Sequence, residues 1–205
     1  MDSITIAAYN THGKSFAERY RSSERITGEK LRECFGDRSR ILDIGIGSGI
    51  DMSRLMEAGY EVTGLEPSDG LIQVAEEHFP QLKERIHRGG LPVNAALAGA
   101  WQKQFDGILC SAVLMHVPDK LQRQALQDMH DLLTPDGRLL LTVSETRDNL
   151  DTDRRDEFGR FYANLPRERV LKLCETAGFR LMSEWQNQDR YHRRGILWST
   201  FILAN

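Results

Sequence analysis

The amino-acid sequence predicts an α/β fold: a doubly wound, mostly parallel seven-stranded sheet with an antiparallel last strand and helices on both faces. Between residues 40 and 144, five short apolar runs alternate with four amphipathic segments, which is typical of parallel strands joined by crossover helices. After residue 178, two strand-like segments joined by a short polar connection favour an antiparallel pair. A chain of 205 residues, 40% of them hydrophobic, can bury one such core.

The first strand and helix flank a glycine-rich turn. Arg40–Ile44 is predicted as a buried strand, and Met52, Leu55 and Met56 recur after it at helical spacing. Gly59 then fits the position just past a helix end, where a left-handed backbone is common.

A second strand over residues 60–65 leads into a helix with clear end signals. Ser68 fits the N-cap position, and Pro80 ends the helix after Phe79. A weaker third strand is predicted over residues 85–87.

The next two units repeat this pattern. A helix is predicted over residues 94–103, a fourth strand over 105–110, and another helix from near Pro118. Residues 134–137 have the composition of a turn into a fifth strand over 138–143. The helix after Pro118 carries one apolar stripe, formed by Leu121, Ala125, Met129, Leu132 and Leu133.

Outside this central region the pattern changes. Residues 1–39 predict two helices, with Phe16 and Tyr20 on one face, and a polar stretch covers residues 145–160. The last predicted elements are, in order, a helix over 166–177 that Gly178 ends, and strands over 179–185 and 196–203.

Composition and charge exclude several classes of protein. Lys and Arg number 27 against 30 Asp and Glu, and the net charge of −3 argues against a nucleic-acid binder that relies on bulk positive charge. The first residues lack the pattern of a signal peptide, and no apolar run approaches the roughly 20 residues of a membrane helix. Cys34, Cys110 and Cys174 form no C-x-x-C motif, so we expect reduced thiols in a cytoplasmic protein.

The glycine-rich turn after the first strand is the most informative segment. The dinucleotide-binding pattern G-x-G-x-x-G fails in both registers, because its third glycine would fall on Ile50 or Met52. This failure disfavours a NAD-dependent oxidoreductase. The spacing that fits is D-x-G-x-G-x-G, formed by Asp43, Gly45, Gly47 and Gly49.

This spacing resembles motif I of the class I S-adenosylmethionine-dependent methyltransferases. A strand that turns through glycine into a helix lets the backbone approach a ligand closely. The resemblance implies S-adenosylmethionine as cofactor, and its ammonium and sulfonium suit acidic neighbours, so Asp43, Asp51 and the three glycines are expected to bind it. It also implies that Glu66, 23 residues after Asp43, takes both ribose hydroxyls, beside Pro67.

Two further segments fit this family in the expected order. Residues 105–118 resemble its fourth-strand motif, whose residues after the strand line the methyl-transfer face, here Ser111 and Ala112. Residues 132–141 resemble the turn before its fifth strand.

The remaining cofactor contacts follow from the resemblance alone. No acid follows the third strand, so backbone around Gly90 and Leu91 is expected to recognise adenine. Many family members fold an N-terminal helix over the cofactor with a Tyr and an Arg near its methionine end, which implies Tyr9, Tyr20 and Arg25. Tyr20 fits the core equally well.

Methyl transfer from a sulfonium needs alignment of nucleophile, methyl and sulfur, and it needs a base where the acceptor must lose a proton. His116 follows the fourth strand and is the candidate base, while packing against the helix near Pro118 explains it equally well. His12 is the second candidate. The residues after the fourth strand lack the Asn/Asp-Pro-Pro-aromatic motif of nucleic-acid amino-methyltransferases, and no histidines show metal-ligand spacing.

The sequence therefore predicts an enzyme that transfers a methyl group from S-adenosylmethionine to a small molecule without a metal, leaving S-adenosylhomocysteine. The alternative is a non-catalytic sensor or partner subunit with the same fold, because its cofactor motifs would look the same. No nucleic-acid or membrane partner is expected. Neither the acceptor atom nor the oligomeric state follows from the sequence.

A single domain over residues 1–205 is expected. Its parts are an N-terminal helical cap (1–39), a cofactor-binding half (40–144) and a substrate-side half (145–205). Residues 147–160 are a candidate lid or acceptor-specificity loop. The basic cluster at residues 190–194 could meet an acidic partner, but a solvated tip is the favoured interpretation.

Overall fold

The central sheet contains seven strands in the computed structural model, which describes residues 1–21, 28–189 and 195–205. They are β1 (Arg40–Ile44), β2 (Glu61–Glu66), β3 (Ile86–Arg88), β4 (Phe105–Ser111), β5 (Leu133–Thr146), β6 (Arg180–Gln188) and β7 (Leu197–Ala204). Their order is β3-β2-β1-β4-β5-β7-β6, and β7 alone runs antiparallel to its neighbours β5 and β6 in this described sheet. The predicted fold class is confirmed.

The helices flank this sheet, and the signals at Ser68, Gly59 and Gly178 are confirmed. The helix predicted over residues 94–103 is shorter, at Ala95–Ala100, and Leu133 belongs to β5 and not to the preceding helix. Ser68 Oγ accepts the Leu71 N–H at 3.2 Å, while Gly59 and Gly178 have φ angles of 94° and 99° just beyond helix ends. The helices are α1 (Ser3–Arg21), α2 (Gly28–Phe35), α3 (Ile50–Glu57), α4 (Asp69–His78), α5 (Ala95–Ala100), α6 (Asp119–Leu132) and α7 (Arg167–Thr176). No helix in the described part of the chain has the length and apolar character needed to cross a membrane.

The fifth strand differs from its prediction. Residues 134–137 are predicted as a turn, but β5 already begins at Leu133, which pairs with Phe105 of β4. The next pair joins Gly107 to Arg138, so the residues between them bulge out of the ladder. The predicted turn therefore lies within β5, as this bulge, and not before the strand, and only Asp106 of β4 stands opposite residues 134–137.

Two hydrophobic clusters sandwich the sheet. Leu139 and Leu141 of β5 belong to one cluster and Leu140 to the other, as alternating side chains of a strand require. Cys110 and Cys174 are buried in the first cluster, which confirms them as core residues, and burial raises the pKa of Cys174 to about 12. Because both faces are covered, ligand space remains at the carboxyl edge of the parallel strands.

Candidate functional site

The three glycines after β1 all have a positive φ angle, but they differ in how closely other side chains pack against them. Their φ angles are 70°, 56° and 80° for Gly45, Gly47 and Gly49. A Cβ on Gly45 would stand 2.4 Å from Val113 Cγ2, and one on Gly49 would stand 2.8 Å from Leu82 Cδ1. A Cβ on Gly47 would approach no atom more closely than 4.0 Å, so the open side of the turn lies there.

Glu66 is the buried acid at the end of β2. Its Oε2 accepts the Gly47 N–H and its Oε1 accepts the Ser68 N–H, each at 3.0 Å. Burial raises the pKa of Glu66 to about 7, while the two backbone hydrogen bonds oppose that rise. Each carboxylate oxygen keeps a lone pair for a hydroxyl donor, so the open turn and this acid fit the ribose of S-adenosylmethionine.

Asp43 and Asp51 flank the same turn. Asp43 is buried in β1, where it pairs in register with Gly64 of β2 and Leu109 of β4. Asp51 stands in the first turn of α3, and its Oδ1 is 3.9 Å from Arg54 Nη1. A carboxylate at that position is favoured by the helix dipole.

The loops after β2 and β3 meet beside Glu66. A Cβ on Gly90 would lie 3.4 Å from the Pro67 ring, and the Gly89 N–H donates to the Glu66 carbonyl at 3.1 Å. The Leu91 side chain is fully buried in the core. Its backbone is therefore the part of Leu91 that a ligand could meet, and its role in adenine recognition stays a prediction.

The end of β4 makes an unusual turn. Ser111 is buried, and Ala112 has a φ of 61°, which is uncommon for a residue other than glycine. The Ala112 N–H donates to the Thr142 carbonyl at 2.9 Å, and a short 3₁₀ turn at Leu114–His116 follows. This turn carries His116 inward from the carboxyl edge.

His116 is buried, with 3% of its surface exposed. Its Nδ1 lies 2.7 Å from the Phe161 carbonyl oxygen, so Nδ1 carries the proton and Nε2 accepts the Tyr9 hydroxyl at 3.1 Å. Burial lowers the pKa of His116 to about 3, which keeps the imidazole neutral at pH 7. The structure thus brings the candidate base into contact with Tyr9, which was expected beside the cofactor.

The other expected aromatic and basic residues are only partly described. His12 lies edge to face with Phe158, with ring centroids 5.3 Å apart. Of Tyr20 only the helical backbone is described, while Arg25 and the cluster at residues 190–194 lie outside the described residues.

Helix α1 and residues 147–165 pack against each other, and we call them the cover. The Arg155 guanidinium donates to both carboxylate oxygens of Asp2, at 2.9 and 3.1 Å. The Phe161 N–H donates to Thr5 Oγ1 at 2.8 Å. These contacts join the predicted lid to the N-terminal helix, an association for which the sequence offers no signal.

The interior of the cover holds charged groups that the sequence did not indicate. Arg160 is 3% exposed. Its Nε and Nη2 donate to Asp156 Oδ2 at 2.8 and 2.6 Å, and its guanidinium carbon lies 4.3 Å from the centre of the Phe16 ring. The Arg147 guanidinium lies 4.0 Å over the Tyr162 ring. The polar composition of this segment shows no periodicity that could have predicted which residues are buried.

Helix α1 also contacts the cofactor side. Asn10 Oδ1 accepts the Ser68 hydroxyl at 2.8 Å and the Gly70 N–H at 3.2 Å. Because the Ser68 N–H donates to Glu66, one chain of hydrogen bonds runs from the glycine turn to the cover. Within the residues described, no three His, Cys, Asp or Glu side chains come together as a metal site.

Comparison with known proteins places this arrangement in a family. Residues 16–186 match the family described as a methyltransferase domain. The chain is 33% identical over 123 residues to a ubiquinone biosynthesis O-methyltransferase of Haemophilus ducreyi, and this match covers 57% of the chain and 50% of that protein. The chain therefore spans about half the length of the curated relatives it matches.

Solved structures share the fold at low sequence identity. The 1,6-didemethyltoxoflavin-N1-methyltransferase of Burkholderia thailandensis, with bound S-adenosylhomocysteine, has a TM-score of 0.75 at 19% identity, over 99% of this chain and 88% of that one. The cyclase SpnF has a TM-score of 0.69 at 14% identity, over 97% of this chain and 94% of that one. These two likenesses show the fold alone. On the family match, which includes the glycine turn, Glu66 and His116, the chain belongs to the methyltransferase-domain family.

Proposed function

We propose that this chain transfers the methyl group of S-adenosylmethionine to a small-molecule acceptor held beneath the cover, without a metal ion. The supporting observation is the enclosure of the acceptor side, where His116 and Arg160 are each 3% exposed between the end of β4 and the cover. Packed side chains therefore close this side, where a polymer would need an open surface, and this closure suits a small molecule better.

The names of two similar proteins support the same acceptor class. The relative from Haemophilus ducreyi is named for ubiquinone biosynthesis, and the structure from Burkholderia thailandensis for 1,6-didemethyltoxoflavin. Both names refer to small molecules.

The residues of this chain supply alignment and exclude water. When bound, S-adenosylmethionine supplies a methyl group on a sulfonium leaving group. Glu66 and the glycine turn hold the ribose, and the cover holds the acceptor in line. Alignment of this kind contributes up to about 7–11 kcal/mol in well-oriented systems.

His116 and Tyr9 are placed to take a proton from the acceptor. The Phe161 carbonyl holds the proton on Nδ1, so Nε2 is the ring atom that can accept one. Tyr9 accepts the acceptor's proton at its oxygen while it passes its own to Nε2, 3.1 Å away. Because its pKa is low, His116 is a weak base, and the pair suits an acceptor that ionises readily.

Incubation of the purified protein with methyl-labelled S-adenosylmethionine and a metabolite extract tests this function. Label is expected in a small molecule, to the same extent with and without a chelator. Label found only in protein or RNA would contradict the proposed acceptor class. S-Adenosylhomocysteine binding without transfer to any acceptor would instead favour the non-catalytic sensor.

A further inference from the structure

Arg147 is a buried guanidinium whose hydrogen-bonding capacity is mostly unused. Its side chain is 6% exposed, and its Nε–H donates to Asn149 Oδ1 at 3.1 Å. Within the described residues, its two terminal nitrogens have no hydrogen-bond acceptor. In the described part of the chain, neither nitrogen is among the fully buried atoms that lack a partner, so the end of the guanidinium is still reachable from solvent and its four N–H groups can donate to a bound ligand.

The neighbouring carboxylate does not supply that partner. Arg147 Nη2 lies 3.8 Å from Asp156 Oδ2, beyond hydrogen-bond distance. Asp156 Oδ2 already accepts two N–H groups of the Arg160 guanidinium, and Oδ1 accepts the backbone N–H groups of Phe158 and Arg160 at 3.1 and 3.0 Å. The Asp156 carboxylate therefore already accepts its hydrogen bonds from donors within the cover.

The position of Arg147 places it on the acceptor side. It directly follows β5, which runs on past Thr142, the residue that pairs with Ser111 at the end of β4. Tyr162 holds the guanidinium 4.0 Å over its ring, and the ring centroid of His116 is 4.7 Å from that of Tyr162. One aromatic ring thus separates Arg147 from the candidate base.

We propose that Arg147 binds an oxyanion of the acceptor, so that the substrates are acidic small molecules carrying a carboxylate or a phosphate. This inference rests on the proposed function and deepens it. The planar guanidinium presents parallel N–H groups that match two oxygens of either anion. A neutral acceptor would offer these N–H groups only uncharged oxygens, which make weaker hydrogen bonds than an oxyanion does.

Calorimetric titration of the full chain with benzoate, phenyl phosphate and benzamide tests this proposal, with and without S-adenosylhomocysteine. Benzamide has the shape of benzoate without its charge. The wild-type chain is expected to bind at least one oxyanion about tenfold or more tightly than the amide, because a charge-assisted hydrogen bond is stronger than a neutral one. Tighter binding of phenyl phosphate assigns a phosphate, and tighter binding of benzoate assigns a carboxylate.

Three variants separate the role of Arg147 from a general charge effect. Arg147→Gln is expected to abolish the preference for oxyanions. Arg147→Lys is expected to keep part of it, since lysine retains the positive charge but lacks the parallel N–H groups of the guanidinium. Arg180→Gln removes the same charge from an exposed position at the start of β6 and should leave the preference unchanged.

Two results would overturn the proposal. One is equal affinity of the wild-type chain for benzamide and both oxyanions, a comparison that needs no variant to fold. The other is a full oxyanion preference in Arg147→Gln. Failure of the wild-type chain to bind S-adenosylhomocysteine would instead overturn the proposed function, and the titrations without it would still decide the role of Arg147.

Discussion

At the scale of single residues, Glu66 connects more of the site than any motif suggests. Its carboxylate accepts N–H groups from the glycine turn and from Ser68, and the Ser68 hydroxyl donates to Asn10 of α1. The acid that is expected to hold ribose is therefore part of the path between the cofactor side and the cover.

Glu66→Ala is expected to weaken S-adenosylhomocysteine binding about tenfold or more, because two ribose hydroxyls lose a charged acceptor. Calorimetry measures the change. The matched control is Glu61→Ala, which removes an exposed carboxylate from the other end of β2. Unchanged affinity in Glu66→Ala would refute the ribose role.

The raised pKa of Glu66 also predicts a pH dependence. The ribose hydroxyls donate to the ionised carboxylate, so binding favours the deprotonated form, whose population grows as the pH rises toward about 7. Affinity should therefore increase by up to about tenfold per pH unit below pH 7 and level off above it. Glu66→Gln cannot ionise and should show no such rise; the same slope in both proteins would contradict the assignment.

At the scale of elements, α1 and α4 meet backbone to backbone through two glycines. A Cβ on Gly13 would lie 3.2 Å from the Gly70 carbonyl, and one on Gly70 would lie 2.7 Å from the Asn10 carbonyl oxygen. The absence of these side chains is what lets the cover pack onto α4.

Gly70→Ala is expected to lower the free energy of unfolding by about 1–3 kcal/mol, because the new methyl group forces α1 away from α4. The control is Gly99→Ala in α5, where a Cβ meets nothing within 4 Å and helix propensity alone should stabilise by about 0.5–1 kcal/mol. Denaturant titration measures both changes, and hydrogen exchange should show faster exchange in α1 of Gly70→Ala. Equal behaviour of the two variants would show that the contact does not matter.

Elements with local signals are predictable from this sequence. The strand Arg40–Ile44, the cap at Ser68 and the glycine that follows α7 depend on hydrophobic periodicity and turn chemistry, which neighbouring residues determine. The cofactor motif was recognisable for the same reason, since strand, turn and helix are contiguous. The placement of those residues around a bound cofactor remains a prediction.

The acceptor side is not predictable in this way. Tyr9 meets His116 across 107 residues, and Arg147 and Arg160 are buried in a segment whose composition resembles a surface loop. The bulge in β5 likewise depends on its partner strand. These features follow from how distant segments pack, and no local pattern encodes that packing.

At the scale of the whole molecule, cofactor binding is expected to stabilise the chain and the cover together. S-Adenosylhomocysteine at about 100 times its Kd should raise the free energy of unfolding by about 2.7 kcal/mol. Because hydrogen bonds run from Glu66 through Ser68 to α1, slower hydrogen exchange should extend to α1 and residues 147–165. Protection limited to the glycine turn and the ends of β2 and β3 would show that the two sides are not coupled.

The cover also determines the order in which the chain can fold. Hydrogen bonds within the cover join Asp2 to Arg155 and Thr5 to Phe161, which are 153 and 156 residues apart in the sequence. Closing such long loops costs chain entropy that few contacts can offset before the sheet exists. The contacts of Arg155 and Phe161 with the N-terminal segment therefore form only on a nearly finished sheet, so the acceptor side is assembled last.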